Sequence, residues 1–408
     1  MEKNTKLRRT LSLPLLCFYG LGTILGAGIY VLVGEVAGVA GMWAPLAFLT
    51  AAVVAGITAL SYAELASRIP KSAGEAAYLQ KAFGLKLLAG CAGWGVVTTG
   101  IVSAATVTRG FVGYLQVFVD LPDTPVIIVT LLAMGGLAVW GVGQSVIAAS
   151  IVTALEIAGL IFVIAVAGHH LGDVPDRWEE LMPPFSLHGW NQILLGGYLA
   201  FFAFIGFEDI VNLAEEARQP RHNLPRAILF CLAVSTAFYI IVALIAVLAL
   251  PPQQLADQKA PLAEMLSQRG DWARVTIGLI SMVAVINGAL IQIIMASRVV
   301  YGMARVSLAP RSLADVHPVT QTPVNSTVLV TAIIIILAVG FPLVGLAKAT
   351  STVTLMVFAL VNAALWKLKC SKGRGDGSQP VHHYPVWVPV VGLILCLGAL
   401  IVQFWQVL

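Results

Sequence analysis

The chain has 408 residues, of which 59% are hydrophobic and only 11% charged, with a formal net charge of +4 and a mean hydropathy of +0.90. That composition excludes an ordinary soluble globule and points to an all-α integral membrane protein. No connection is long enough for a sizeable soluble domain, so the chain reads as one membrane-embedded domain, 1–408, with its functional site inside the membrane.

Eleven apolar segments approach the roughly 20 residues that a helix needs to cross a bilayer. They lie near 12–36, 42–66, 86–115, 124–142, 145–167, 190–213, 226–250, 273–300, 325–342, 346–366 and 386–407. A basic N-terminus followed by Leu11 to Tyr19 imitates a signal peptide, but the apolar run continues past Val33 without a cleavage site, so it is read as the first span.

That first segment contains Gly22, Thr23, Ile24, Leu25, Gly26, Ala27, Gly28 and Ile29. Each glycine costs a helix about 1 kcal/mol relative to alanine, so the spacing predicts an unwound stretch at mid-membrane depth. Such backbone is tolerated in lipid only where it lines a cavity. After the second span, Pro70 to Tyr78 reads as a turn into a short amphipathic helix.

The fifth segment carries Glu156 at its middle, where a charge costs about 3 kcal/mol. The sixth is interrupted by Phe202, Ala203, Phe204, Ile205, Gly206, Phe207 and Glu208. Two broken helices in corresponding positions, five segments apart, are the mark of a secondary transporter. Residues 12–167 and 190–366 then form two five-helix repeats, the second inverted because each has an odd number of spans, and 386–407 is an accessory helix.

Charge fixes the expected orientation. Eighteen of the 24 basic residues fall on alternate connections, which places the N-terminus in the cytoplasm and the C-terminus outside, most simply in a plasma (inner) membrane. The net charge is therefore positive-inside bias and implies no nucleic-acid partner. Cys17, Cys91, Cys231, Cys370 and Cys396 lie in spans or on the cytoplasmic side, so no extracellular disulfide is expected. The pairs His169–His170 and His382–His383 lack metal-ligand spacing, and no metal or other cofactor is expected.

Gly22 to Ile29, Pro70 to Tyr78, Phe201 to Glu216 with Pro220 and Pro225, and Ser297 to Arg305 together resemble the amino acid, polyamine and organocation transporter superfamily. The resemblance implies the five-plus-five inverted-repeat fold first described for a bacterial leucine transporter, with helices one and six broken. It also implies an amino acid substrate, moved by alternating access through proton coupling or exchange.

A zwitterion leaves neither of its charges unpaired in such a site. Backbone N–H groups of Gly26, Ala27 and Gly28, at the start of a half-helix, suit the carboxylate. Carbonyls of Ile24, Phe202, Ala203 and Ile205 suit the ammonium, and the resemblance assigns this work to the equivalent positions. It also makes Phe202 an aromatic residue that closes over the substrate. Thr98, Thr99 and Ser103 in the third span and Thr350, Ser351 and Thr352 in the tenth are further polar candidates.

Relatives that work without sodium can carry a lysine near Glu156. The carboxyl here reads as a proton carrier, as a structural donor toward Asn287, or as part of a cation site. Glu208 either protonates during the cycle or caps the unwound stretch; Glu64, Glu215 and Glu216 are expected at the interface. A polyamine or other organic amine is the alternative cargo. A channel would need polar stripes through several spans, and an intramembrane enzyme a nucleophile beside a base; neither pattern is present in the sequence.

Overall fold

A computed structural model describes residues 9–26, 28–72, 74–141, 146–183, 186–305, 308–371 and 382–405. In chain order its α-helices are α1 (Leu13–Leu25), α2 (Gly28–Ala40), α3 (Ala44–Arg68), α4 (Gly74–Phe83), α5 (Lys86–Leu115), α6 (Asp123–Trp140), α7 (Val146–Ala167) and α8 (Trp178–Leu181). They continue with α9 (Leu187–Ala200), α10 (Pro220–Ala249), α11 (Pro252–Ala256), α12 (Pro261–Ser267), α13 (Asp271–Arg305), α14 (Val324–Gly340), α15 (Leu343–Cys370) and α16 (Trp387–Trp405). The β pairing among the described residues is one isolated bridge, Leu11 to Ala217, which ties the chain before α1 to the connection before α10.

Among the described residues, nine stretches are long and apolar enough to cross a membrane. One of them, Leu13–Arg68, runs for 56 residues and holds the first two expected spans, and the shorter α14 supplies another apolar helix. The eleven expected segments therefore all have helical counterparts. Prolines start many of these helices, including α3, α10, α11 and α12, because the first turn needs no N–H from its opening residues.

Outward-facing positions are apolar: Leu132, Ile151, Ile336 and Ile401 are each more than half exposed. Trp140, Trp178, Trp272, Trp387 and Trp405 are exposed near helix ends, the placement expected of an interfacial aromatic belt. Buried polar side chains concentrate inside instead, among them Thr58, Ser61, Thr106, Ser235 and Ser281. The solvent this surface fits is a bilayer, and the protein is an integral membrane protein.

The two interruptions meet at the centre. The first is narrower than the glycine spacing suggests: Gly22 stays within α1, and Gly26 keeps helical dihedrals with its N–H bonded to the carbonyl of Gly22 at 3.3 Å. The reason is packing, since a β-carbon at Gly22 would lie 2.1 Å from Thr153 Oγ1 and the close approach to α7 requires its absence. The second interruption is wide. After α9 the chain tightens into a 3-10 turn at Phe201–Phe204, extends at Ile205, takes φ +124° at Gly206 and continues as a 3-10 stretch, Phe207–Leu213.

The connection after α10 is not a loose loop. Its short helices α11 and α12 pack on α2, where a β-carbon at Gly34 would sit 2.4 Å from the Leu255 carbonyl oxygen. Arg109 of α5 donates through Nε to the carbonyl of Ala338 at 2.7 Å and through Nη2 to that of Val339, satisfying carbonyls in the last turn of α14.

Candidate functional site

Gly28 and Gly206 bring the two broken elements into contact. A β-carbon at Gly28 would stand 2.3 Å from Ala203 Cα, and one at Gly206 would stand 2.6 Å from the Thr23 carbonyl oxygen. Thr23 Oγ1 lies 2.9 Å from the Gly206 carbonyl across the gap and 2.9 Å from the Gly20 carbonyl of its own helix, so its one proton is shared between them. From the next span inward, the Tyr239 hydroxyl lies 2.6 Å from the carbonyl of Ile24 and 2.8 Å from that of Ala203. One hydroxyl has one proton, so it serves one carbonyl at a time and leaves the other an acceptor.

Two further tyrosines brace the second half of the first helix. Tyr30 donates to the Glu156 carbonyl at 2.6 Å, and Tyr114 donates to the Tyr30 carbonyl at 2.6 Å. Both rings are fully buried.

Beside the breaks is a small cavity whose walls include Thr23, Ile24, Gly28, Phe202, Ile205 and Ser103. Of the residues expected to bind substrate, Ile24, Gly28, Phe202 and Ile205 are in this wall. Gly26 and Ala203 are not: the Gly26 N–H is spent on Gly22, and Ala203 meets Gly28 and Tyr239 instead. Ala27 lies outside the described residues. Gly28 opens α2, and the first N–H groups of a helix have no intrahelical acceptor, so an anion is suited to that end.

The α13 face supplies Gly288, Ile291 and Gln292, which sequence reasoning missed. Ser103 on α5 is in the wall, but Thr98 turns away to the Trp94 carbonyl. On α15, Thr350 and Thr352 bond back to their own helix, at the carbonyls of Leu346 and Lys348.

A second small cavity adjoins the first and shares Ile205 and Gln292 with it. Glu75, Glu208 and Asp209 lie in its wall with Tyr62, Thr99 and Thr354. Glu208 Oε2 accepts from the Gly206 N–H at 2.8 Å, so its side chain caps the unwound stretch. Tyr62 donates to Glu75 Oε1 at 3.0 Å, while Asp209 Oδ2 and Gln292 Oε1 are buried without a hydrogen-bond partner among the described residues.

Glu156 lies behind the first break, away from both cavities. It is fully buried, its Oε1 accepts from Asn287 Nδ2 at 3.1 Å, and Oε2 has no hydrogen-bond partner among the described residues. Glu64, expected at the interface, is instead fully buried: it pairs with Arg68 and with Lys369 Nζ at 2.7 Å, and accepts from the Tyr384 N–H at 3.0 Å. Among the described residues no cluster of three or more histidine, cysteine or acidic side chains has a geometry to hold a metal ion.

Comparison with known proteins places this architecture. The family model for amino acid permeases matches residues 11–407. The branched-chain amino acid permease BcaP of Bacillus subtilis is 29% identical over 425 aligned positions, which cover 98% of this chain and 89% of that protein. A transporter of Mycobacterium tuberculosis is 32% identical, with 96% of this chain and 86% of that protein covered. The vacuolar cationic amino acid transporter 2 of Arabidopsis thaliana is 31% identical over 87% of this chain, and the chain spans 59% of that longer protein. With a match over nearly its whole length, the chain belongs to the amino acid permease family.

Proposed function

We propose that this member of the family is a secondary active transporter that carries amino acids by alternating access, with the substrate held between the two helix breaks. Amino acid transport is the activity of the family; the binding place and the coupling are our reading. The observation that carries it is the meeting of two interrupted helices, through Gly28 with Ala203 and Thr23 with Gly206, beside a small cavity that both line. The N–H end of α2 faces the substrate carboxylate, and the carbonyls of Ile24, Phe202 and Ile205 face its ammonium. Phe202 closes over the bound molecule.

In this reading α1 to α7 and α9 to α15 contain the two inverted repeats, α16 is accessory, and the N-terminus is cytoplasmic in a plasma (inner) membrane. Glu156 takes up and releases the coupling proton. As a neutral acid it suits a buried place with one hydrogen bond, whereas a carboxylate there is costly until water or a partner reaches it. A conformation that wets this carboxyl releases the proton, and one that buries it requires the proton back.

The test is uptake of radiolabelled amino acids into proteoliposomes, with and without an inward proton gradient, for the wild type and Glu156→Gln. Gradient-driven uptake that disappears in the variant is the expected result. Uptake that ignores the gradient and requires amino acid preloaded inside would make the protein an exchanger. Absence of any amino acid uptake would overturn the substrate class.

A further inference from the structure

The second cavity lies beyond the space proposed for the zwitterion. Its wall contains three carboxyl groups, Glu75, Glu208 and Asp209, and no lysine, arginine or histidine. All three are at most 8% exposed. Glu75 and Glu208 have hydrogen-bond donors in Tyr62 and Gly206, but Asp209 Oδ2 has none among the described residues. An unpartnered buried carboxylate oxygen is costly, and the cost falls when a cation or donor enters.

An independent group points the same way. Gln292, on α13, is 7% exposed, is in the wall of both cavities, and its Oε1 has no hydrogen-bond partner. Gln292 and Asp209 come from different elements and leave two acceptors unfilled around one space. The rest of the wall holds Thr99 and Thr354, whose hydroxyls are 3.2 Å apart, and apolar or aromatic groups, with Met295, Val357, Phe358 and the Tyr62 ring; Tyr62 and Phe358 meet edge to face at 5.3 Å. Aromatic faces beside carboxylates suit the methylene stem and charged head of a long cationic side chain.

Resting on the proposed binding of the α-carboxylate and α-ammonium in the first cavity, we propose that the second cavity is a subsite for an organic cation, in which Asp209 Oδ2 and Gln292 Oε1 receive the ammonium or guanidinium of a substrate side chain. Ile205 and Gln292 form the shared wall that the methylene stem passes. Substrates with a long cationic side chain fill both cavities, and short neutral ones fill the first.

Arginine and citrulline test this, because they differ in a guanidinium against a neutral urea on the same stem. Affinities are measured by calorimetry on the purified full-length protein, with leucine as a probe of the first cavity. The wild type is expected to prefer arginine over citrulline by at least about tenfold, and Asp209→Asn to bring that ratio close to one. Gln292→Met is a second variant, expected to lower the same ratio, and it keeps the test open if the first is poorly folded.

A wild-type ratio near one, or a ratio unchanged in both variants, would overturn the subsite and mean that protons alone neutralise these carboxyls. Arginine and citrulline weakened together would reduce Asp209 to a structural role and overturn it too. In each of these outcomes leucine binding still upholds the first cavity. Failure of leucine, citrulline and arginine alike to bind would instead overturn the proposed function.

Discussion

Asn287 donates its side-chain amide to Glu156 at 3.1 Å, and this single hydrogen bond joins α13 to the middle of α7 beside the first helix break. The carboxyl is fully buried, and a β-carbon at Gly26 would lie 3.3 Å from its Oε1. Asn287→Leu removes the donor and leaves the carboxyl without its one hydrogen bond. Loss of such a bond at a buried group costs about 1–3 kcal/mol. Thermal unfolding of the purified variant should show that loss, whereas Glu156→Gln, which keeps an acceptor for Asn287, should unfold close to the wild type while losing gradient-driven uptake. A Glu156→Gln protein that unfolds far below the wild type would make the carboxyl structural.

Gly28 and Gly206 are constrained by backbone, not by movable side chains. Gly206 has φ +124°, a conformation that other residues rarely adopt, and its missing β-carbon would meet the Thr23 carbonyl. Gly206→Ala therefore combines strain of about 1–3 kcal/mol with a clash at the break. Gly28→Ala would press on Ala203 Cα at 2.3 Å. Both variants are expected to lose transport. Gly136→Ala, where a β-carbon would meet nothing within 4 Å, is the control that should transport normally. Normal uptake by Gly206→Ala would show that the break tolerates rearrangement.

The sequence made the breaks legible because glycine and the Phe202–Glu208 interruption disturb otherwise apolar helices. It overstated the first, since Gly22 serves helix packing against Thr153, a contact 131 positions away that no local pattern records. The polar residues on α5 were visible, but their facing was not: Ser103 and Thr99 are in cavity walls, one turn apart, while the adjacent Thr98 bonds to its own helix. Gly288, Gln292 and Met295 follow the same helical spacing on α13, a signal that was present and unused. Asp209 and Glu75 gained meaning only when folding placed a connecting helix against the sixth span.

Tyr239 brings one proton to two carbonyls, and its ring packs against Phe204 at 5.0 Å and Phe48 at 5.8 Å. Tyr239→Phe keeps those ring contacts and deletes the bridge between Ile24 and Ala203. The expected cost is about 1–3 kcal/mol, because a buried carbonyl loses its donor. Since the Ile24 carbonyl borders the proposed ammonium position, substrate should recover part of this loss. The stabilisation of unfolding temperature by bound amino acid should then be larger in the variant than in the wild type. Equal stabilisation would mean that the substrate ammonium never reaches this carbonyl.

Glu75 on α4 gives a pH signature. Burial pushes its carboxyl above the usual range, against the lowering effect of hydrogen bonds from the backbone and from the Tyr62 hydroxyl. Tyr62, Tyr78, Glu208 and Asp209 are the ionisable groups that interact with it. The folded protein therefore holds this proton more tightly than the unfolded chain does. The resulting stabilisation is fully present below the ordinary value of 4.5 and is lost as pH rises through the raised folded value. Glu75→Gln stays neutral throughout, so its unfolding temperature should gain on the wild type as pH rises above the ordinary value of 4.5 and through the raised folded value. A constant difference across that range would mean that burial of Glu75 has no linkage to folding.

Glu64 joins three elements at one end of the bundle. It pairs with Arg68 on its own helix α3, with Lys369 on α15, and with the Tyr384 N–H ahead of α16; Lys369 also donates to the Tyr384 carbonyl. The side chains of Glu64 and Lys369 are 0% and 2% exposed, so neither charge has water to fall back on. Glu64→Leu strands a buried ammonium, and removal of one partner of such a pair costs about 3–5 kcal/mol. Removal of both charges, in Glu64→Leu with Lys369→Met, should recover much of that loss, because two apolar side chains need no desolvation. Thermal unfolding of the two single variants and the double variant forms the cycle. A double variant as unstable as the sum of the singles would mean that the pair has no coupling and that α3, α15 and α16 are held together by packing alone.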